Sequence, residues 1–299
     1  MSTGNVRLIQ GSIPDHLNTG TSTAMSTPHG KIEGIANILQ RSQFIMMHAN
    51  VRSIIPKIDE LRLLLSEMQC AIFVVTESWL DQSLDTSIIE IPGYSILRQD
   101  RQHKGGGGII VYYLQNLNIK LVQIQKTEEV ECLLMVVRVN SLKLGVISVY
   151  RPPSTPYCKL SVLEDFITHL YPQVDSLYIL GDLNCNQLCP DEAETKYLKS
   201  ILDSFDLAQL IKEPTRITEY GESLLDLIIT DRTELVESCG VSSPIGSSDH
   251  CLTYVTLNLQ KPQQKHFDIH YRDYNSFKEE TFLQNARAWN WKEIEEVGS

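Results

Sequence analysis

The chain lacks any run of about 18 consecutive apolar residues, so no membrane-spanning helix is expected. Met1 to Gln10 carries no basic stretch followed by an apolar run and a small-residue cleavage site, and does not read as a secretory signal. Positive charge is also short. Lys and Arg number 26 against 37 Asp and Glu, a formal net charge of −11. Coating a nucleic acid by charge alone needs a basic surplus, which excludes that class. An acidic protein can still act on nucleic acid where a metal ion supplies the positive charge locally. The seven cysteines, an odd number spread from Cys70 to Cys251, do not form a disulfide framework in 299 residues. They point to a reducing compartment, nucleus or cytoplasm. No internal repeat of about 20–50 residues is visible.

What is present is globular: 42% hydrophobic and 21% charged residues, near the usual soluble composition. Residues 1–42 hold many Ser, Thr, Gly and Asn and read as a poorly ordered leader. From Phe44 the pattern changes. Phe44-Ile45-Met46-Met47 is a strand candidate. Ile54, Ile58, Leu61, Leu64, Leu65 and Met68 then fall at helical spacing, and Ala71 to Val75 is a buried strand. A crossover is the natural reading. Strands follow at 107–113, 132–140 and 144–150, then a helix at 160–171 and a strand at 177–180. A helix at 197–205 and strands at 224–230 and 252–259 complete the pattern. It predicts two stacked sheets flanked by helices, one domain over 43–260. Residues 261–299 read as a linker and a short helix over 277–291 with apolar Phe282, Leu283 and Trp289. The acidity belongs to the domain, since residues 44–259 hold 17 Lys and Arg against 28 Asp and Glu.

Polar residues cluster at strand ends. Asn50 lies just beyond strand 44–47. Strand 71–75 runs into Thr76-Glu77-Ser78-Trp79, and strand 177–180 into Gly181-Asp182-Leu183-Asn184. Asp226 sits inside Leu224-Leu225-Asp226-Leu227-Ile228-Ile229, where a carboxylate is costly unless paired. Ser248-Asp249-His250 precedes the last strand. Each alone has an ordinary explanation, as a solvated loop residue, an Asx turn or a satisfied core histidine. Together they offer oxygen ligands for a hard cation, a base for water and donors for phosphoryl oxygens. Gly105 to Gly108 reads as a turn entering a strand, with no Lys-Ser/Thr of a phosphate loop after it. Arg98, Arg101 and Lys104 form a small basic group, either a solvated face or a DNA-backbone contact.

In this order, Asn50, Glu77-Ser78-Trp79-Leu80, Val149-Tyr150-Arg151-Pro152-Pro153, Gly181-Asp182-Leu183-Asn184, Leu225-Asp226-Leu227-Ile228 and Ser248-Asp249-His250 resemble the endonuclease/exonuclease/phosphatase superfamily. Within it the chain looks most like the apurinic-type endonuclease domain of jockey-like non-LTR retrotransposons. His48-Ala49-Asn50-Val51-Arg52-Ser53, Asp100-Arg101 ahead of the glycines and Tyr150-Arg151-Pro152-Pro153 narrow it. The resemblance implies a four-layer α/β/β/α sandwich of two mixed sheets flanked by helices. It implies Glu77 as principal metal ligand, with Asn50 assisting metal or phosphate and Asp249 as a further acidic contact near the metal. His250 would contact the scissile phosphate as acid/base partner, oriented by Asp226. Asp182 would position or deprotonate the attacking water. Asn184 and Tyr150 would bind phosphoryl oxygens, with Thr215 and Arg101 as further phosphate or DNA contacts. Mg²⁺ would be the cofactor, with Mn²⁺ able to substitute, and DNA the substrate of a monomer with no membrane and no stable protein partner. Repair-type enzymes carry Asp two residues after the strand-end Asn. Arg52 stands there instead, which favours the element type over a dedicated repair enzyme. Two alternatives stay open: a phosphatase on a small phosphorylated molecule, and a non-catalytic transposon remnant that binds a partner.

Overall fold

The run Phe44-Ile45-Met46-Met47 belongs to a longer strand, β1 (Gln43–Asn50), with every residue buried. Both faces are covered, which is why the run is continuous rather than alternating. A computed structural model describes this strand and the rest of residues 43–100, 106–125, 129–260 and 278–288. The expected leader, the linker, Trp289, and the basic residues Arg101 and Lys104 lie outside the described residues.

Helix α1 (Ile58–Met68) buries Ile58, Leu61, Leu64, Leu65 and Met68, the apolar stripe that its spacing predicts. It stops at Gln69, which turns left-handed (φ +47°) and returns its N–H to Leu65 O. Strand β2 (Ile72–Thr76) then runs parallel to β1, with Asn50 opposite Thr76. Strands β3 (Tyr94–Gln99), β4 (Ile109–Leu114), β5 (Asn118–Gln125), β6 (Glu131–Val139) and β7 (Leu142–Tyr150) follow. Helix α2 (Val162–Leu170) buries Leu163, Phe166, Ile167 and Leu170 and leads into β8 (Ser176–Asp182), parallel to β7. The remaining elements are α3 (Ala193–Ser204), β9 (Ala208–Gln209), a hairpin of β10 (Arg216–Thr218) and β11 (Gly221–Ser223), β12 (Asp226–Thr230), β13 (Val236–Pro244) and β14 (Cys251–Gln260).

Two six-stranded sheets result, ordered β13-β14-β1-β2-β4-β3 and β5-β6-β7-β8-β12-β9. Each holds one parallel pair, and every other pairing within them is antiparallel. The sheets pack on each other through their central strands, with an apolar core between and around them. This is the expected sandwich of two mixed sheets flanked by helices. Strands β3, β5 and β13 were not anticipated. All three are sheet edges, where one side faces solvent and the apolar signal weakens. Helix α4 (Glu279–Ala288) falls in a second, separate unit and leaves Phe282 and Leu283 exposed. Among the described residues no helix is long and apolar enough to cross a membrane.

Gly181 marks the tightest approach. It pairs with Val149, and a Cβ there would stand 1.8 Å from Val149 O. Backbone cannot yield as a flexible side chain does. Gly181→Ala is therefore expected to destabilise the fold by at least about 3 kcal/mol, the upper end of overpacking costs. The urea midpoint of the purified variant checks this.

Candidate active site

The two parallel pairs determine where polar side chains gather. β1 ends at Asn50, and Glu77 is the first residue after β2. β7 ends at Tyr150 and β8 at Asp182, directly opposite each other. β12 runs antiparallel to β8 and so begins where β8 ends, with Asp226 opposite Asp182. β14 runs antiparallel to β1, and His250 immediately precedes it. Helical crossovers bring the carboxyl ends of parallel strands to one edge, the usual location of sites in such sheets.

The carboxamide of Asn50 joins the two sheets there. It is fully buried, and Nδ2 donates to Glu77 Oε1 (3.0 Å) and to Asp182 Oδ2 (2.9 Å). Tyr150 Oη donates to the same Glu77 oxygen (3.0 Å), and Trp79 Nε1 to Glu77 Oε2 (3.2 Å). Burial, then the Glu77 charge, holds the Tyr150 hydroxyl protonated well above its ordinary range. The segment carrying Glu77 is clamped from both sides. Ser53 N and Ile54 N donate to Glu77 O and Ser78 O, while Ser78 N and Trp79 N donate to Gly108 O and Gly107 O. Gly108 (φ +90°) must be glycine, because a Cβ would meet Ser78 Oγ at 2.4 Å. The glycine run thus serves as a turn that grips residues 77–79.

Asp182 and Asp226 are both buried beside His250. Asp226 Oδ2 stands 2.8 Å from His250 Nδ1, and Asp182 Oδ2 lies 4.0 Å from the same nitrogen. Burial and the Asp226 charge raise the Asp182 carboxyl to about 7, against the opposing His250 charge and the hydrogen bonds from Asn50 and Asn184 N. Burial would lower His250, but Asp226, Asp182 and Asp249 outweigh it and raise the imidazole to about 9. At neutral pH His250 is thus a cation held against the Asp226 carboxylate. Asn184 (φ +49°) donates Nδ2 to Arg151 O (2.8 Å), leaving one amide hydrogen for other use. Arg151 in turn is buried and donates to Leu183 O (2.7 Å) and Asn184 O (2.7 Å), with Glu194 at 3.3 Å.

Two expected contacts stand elsewhere. Thr215 is fully buried; its hydroxyl donates to Asp226 Oδ2 (2.7 Å) and accepts from Leu225 N and Asp226 N. It supports Asp226 from behind and has no hydrogen left for phosphate. Asp249 gives one oxygen to Arg52 Nη1 (3.1 Å) and the other to Arg216 Nε (2.9 Å), and these hydrogen bonds outweigh partial burial and lower its carboxyl to about 2. It anchors two guanidiniums at the rim rather than offering a vacant carboxylate. Arg101 lies outside the described residues.

His48 was not singled out as a site residue. It is fully buried on β1, with Nε2 2.9 Å from Thr76 Oγ1 and Nδ1 3.7 Å from Asp226 Oδ1. The signal for it was its position two residues before Asn50, which puts both on one strand face.

The donor set suits a divalent cation. Among the described residues Glu77 receives only neutral donors, and no Lys, Arg or His pairs with it. Asp182, Asp226 and His250 also offer ligand atoms within 4.8 Å of one another, but the His250–Asp226 hydrogen bond already uses that nitrogen. Hard oxygen donors carrying uncompensated charge are what Mg²⁺-like ions select.

The two stacked sheets flanked by helices match the α/β sandwich fold of solved endonucleases. A family model described as endonuclease-reverse transcriptase matches residues 144–254. Among solved structures, the endonuclease domain of TRAS1, a telomere-specific non-LTR retrotransposon, is 18% identical with a TM-score of 0.59, over 73% of this chain and 100% of that one. An AP endonuclease from Archaeoglobus fulgidus is 17% identical (TM-score 0.56; 72% and 100% covered). The AP endonuclease LMAP from Leishmania major is 11% identical (TM-score 0.63; 80% and 97% covered). At these identities the likeness is one of fold. No curated protein matches the chain in sequence.

Burial lowers the His48 imidazole to about 4 against the Asp226 charge. The unfolded chain therefore binds this proton first as pH falls from about 6.5. His48 should remove stability progressively between pH 6.5 and 4, by up to about 3 kcal/mol. Asp182 acts in the opposite sense over much of this range, so the difference between wild type and His48→Gln isolates the effect. Urea midpoints in EDTA across pH 4–7 should show a flatter acid limb in the variant.

Proposed function

We propose that the chain is a divalent-metal-dependent phosphodiesterase that nicks DNA, of non-LTR retrotransposon type. The observation that carries this reading is Asp182. It is a buried carboxyl raised to about 7, held by the Asn50 amide that also holds Glu77 and facing a protonated His250. Glu77 would hold the cation, with Asn50 orienting it; Mg²⁺ is the proposed ion and Mn²⁺ a substitute. When bound, such an ion stabilises charge on a phosphoryl oxygen as a Lewis acid. Asp182 takes a proton from the attacking water, a task suited to a base near neutral pH. His250, held through Nδ1 by Asp226, presents Nε2–H to a phosphoryl oxygen. The spare Asn184 amide hydrogen donates to the same group, while Tyr150, whose single hydroxyl hydrogen goes to Glu77 Oε1, orients that carboxylate. The endonuclease-reverse transcriptase match and the TRAS1 fold likeness support DNA and the retrotransposon type.

Conversion of supercoiled plasmid to nicked circle in Mg²⁺, abolished by chelator and restored by Mn²⁺, tests the reading. Hydrolysis of a soluble phosphate monoester with no nicking would favour the phosphatase alternative, and no turnover of either would favour a non-catalytic remnant. Glu77→Gln is expected to keep the wild-type circular dichroism and lose about 10³-fold in nicking rate, several kcal/mol of transition-state stabilisation. Near-wild-type nicking at millimolar Mg²⁺ would remove Glu77 from this role. Asp226→Ala and His250→Ala should be non-additive, because the pair acts as one unit. A double variant whose rate loss equals the product of the single losses would refute that coupling.

A further inference from the structure

The chemistry above makes no catalytic use of Trp79, yet the fold holds it under strain. Its backbone is left-handed (φ +55°), a region that is costly for a bulky residue and concentrates at functional sites. Its own N–H is bonded to Gly107 O at 3.0 Å, and the preceding peptide groups are bonded to Gly108 and Ile54. Glu77 is also left-handed (φ +53°), with Ser78 fully buried between the two. The side chains at 77 and 79 therefore emerge together, and the indole N–H meets Glu77 Oε2 at 3.2 Å. Gly106 leaves room beside it; a Cβ there would stand 3.7 Å from Nε1. Even so, the residue remains 45% exposed. A ring pinned by its polar edge at the candidate metal ligand, with its surface open, loses little freedom on covering a flat partner.

Resting on the nuclease reading, we infer that Trp79 forms a nucleobase subsite, in which the indole stacks on an unpaired base next to the phosphodiester held at Glu77. Aromatic stacking tolerates any base, and it requires the base to leave the duplex stack. The subsite thus selects for strand structure, a mismatch, bubble or frayed end, over sequence.

The test uses the full chain and two DNA duplexes of equal length, one fully paired and one carrying a three-base bubble. Wild type should cleave the bubble with higher kcat/KM, and Trp79→Leu should lower that bubble-to-paired ratio about 10-fold, within the range of one base–aromatic stack. Trp79→Phe, which keeps a ring but not the N–H, should retain most of the ratio. Replacing the bubble bases by abasic sites should lower the wild-type ratio as Trp79→Leu does. In EDTA, indole emission should be quenched by the bubble duplex beyond the signal left in Trp79→Phe, which reports Trp289 and Trp291. An unchanged ratio in Trp79→Leu overturns the subsite while leaving the nuclease reading in place. So does a Trp79→Phe that behaves like Trp79→Leu, since the indole would then act only through Glu77. A wild-type chain that neither binds nor cuts either duplex overturns both.

Discussion

The buried amide of Asn50 carries two hydrogens, and the structure uses them on carboxylates from different sheets. That pair of bonds connects the edge of one β-layer to the edge of the other. A buried carboxylate that lost its donor would bear the full cost of desolvation. The amide therefore fixes Glu77 and Asp182 relative to each other, and through them the groups they touch. The parallel pairing of β1 with β2 and of β7 with β8 delivers these residues to one place. The close packing of Gly181 on Val149 keeps the second pair tight where it matters.

Within a few ångströms the edge sets titratable groups to different poise. Asp182 is raised by burial, His250 is raised by carboxylates, and Asp249 is lowered by two guanidiniums. These environments separate a base from a cation without a large move of any atom, the pattern by which one fold runs acid and base chemistry together. The domain's excess of acid finds part of its reason here, since the cluster concentrates negative charge where a cation would be useful. Arg52 and Arg216 give the rim a compensating positive character while staying tied to Asp249.

The central strands and helices were legible because they are buried on both faces or along one stripe. Residues 44–47, 71–75 and 177–180 announce themselves as apolar runs, and α1 by its spacing. Edge strands such as β13, which reads Val-Glu-Ser-Cys-Gly-Val-Ser-Ser-Pro, carry no such signature. The site was legible for a related reason: polar residues at the ends of apolar strands stand out. What each one bonds to was less so. Thr215 and Asp249 differ from expectation because their partners, Asp226 and two arginines, come from segments 11 to 197 residues away in sequence. Such pairings exist only once the chain has folded. His48 was hidden in an apolar strand, where a lone histidine passes for core.

Arg151 grips the loop after β8 through the main-chain oxygens of Leu183 and Asn184, and its own loop through that of Thr155. A clasp of this kind reads the path of the chain and ignores most of the side chains along it. Most residues after Asn184 can therefore change without disturbing where its amide points, Cys185 and Glu194 excepted because they also touch Arg151. A mutation of the clasp itself has no such latitude, because it would leave several carbonyls without a donor at once.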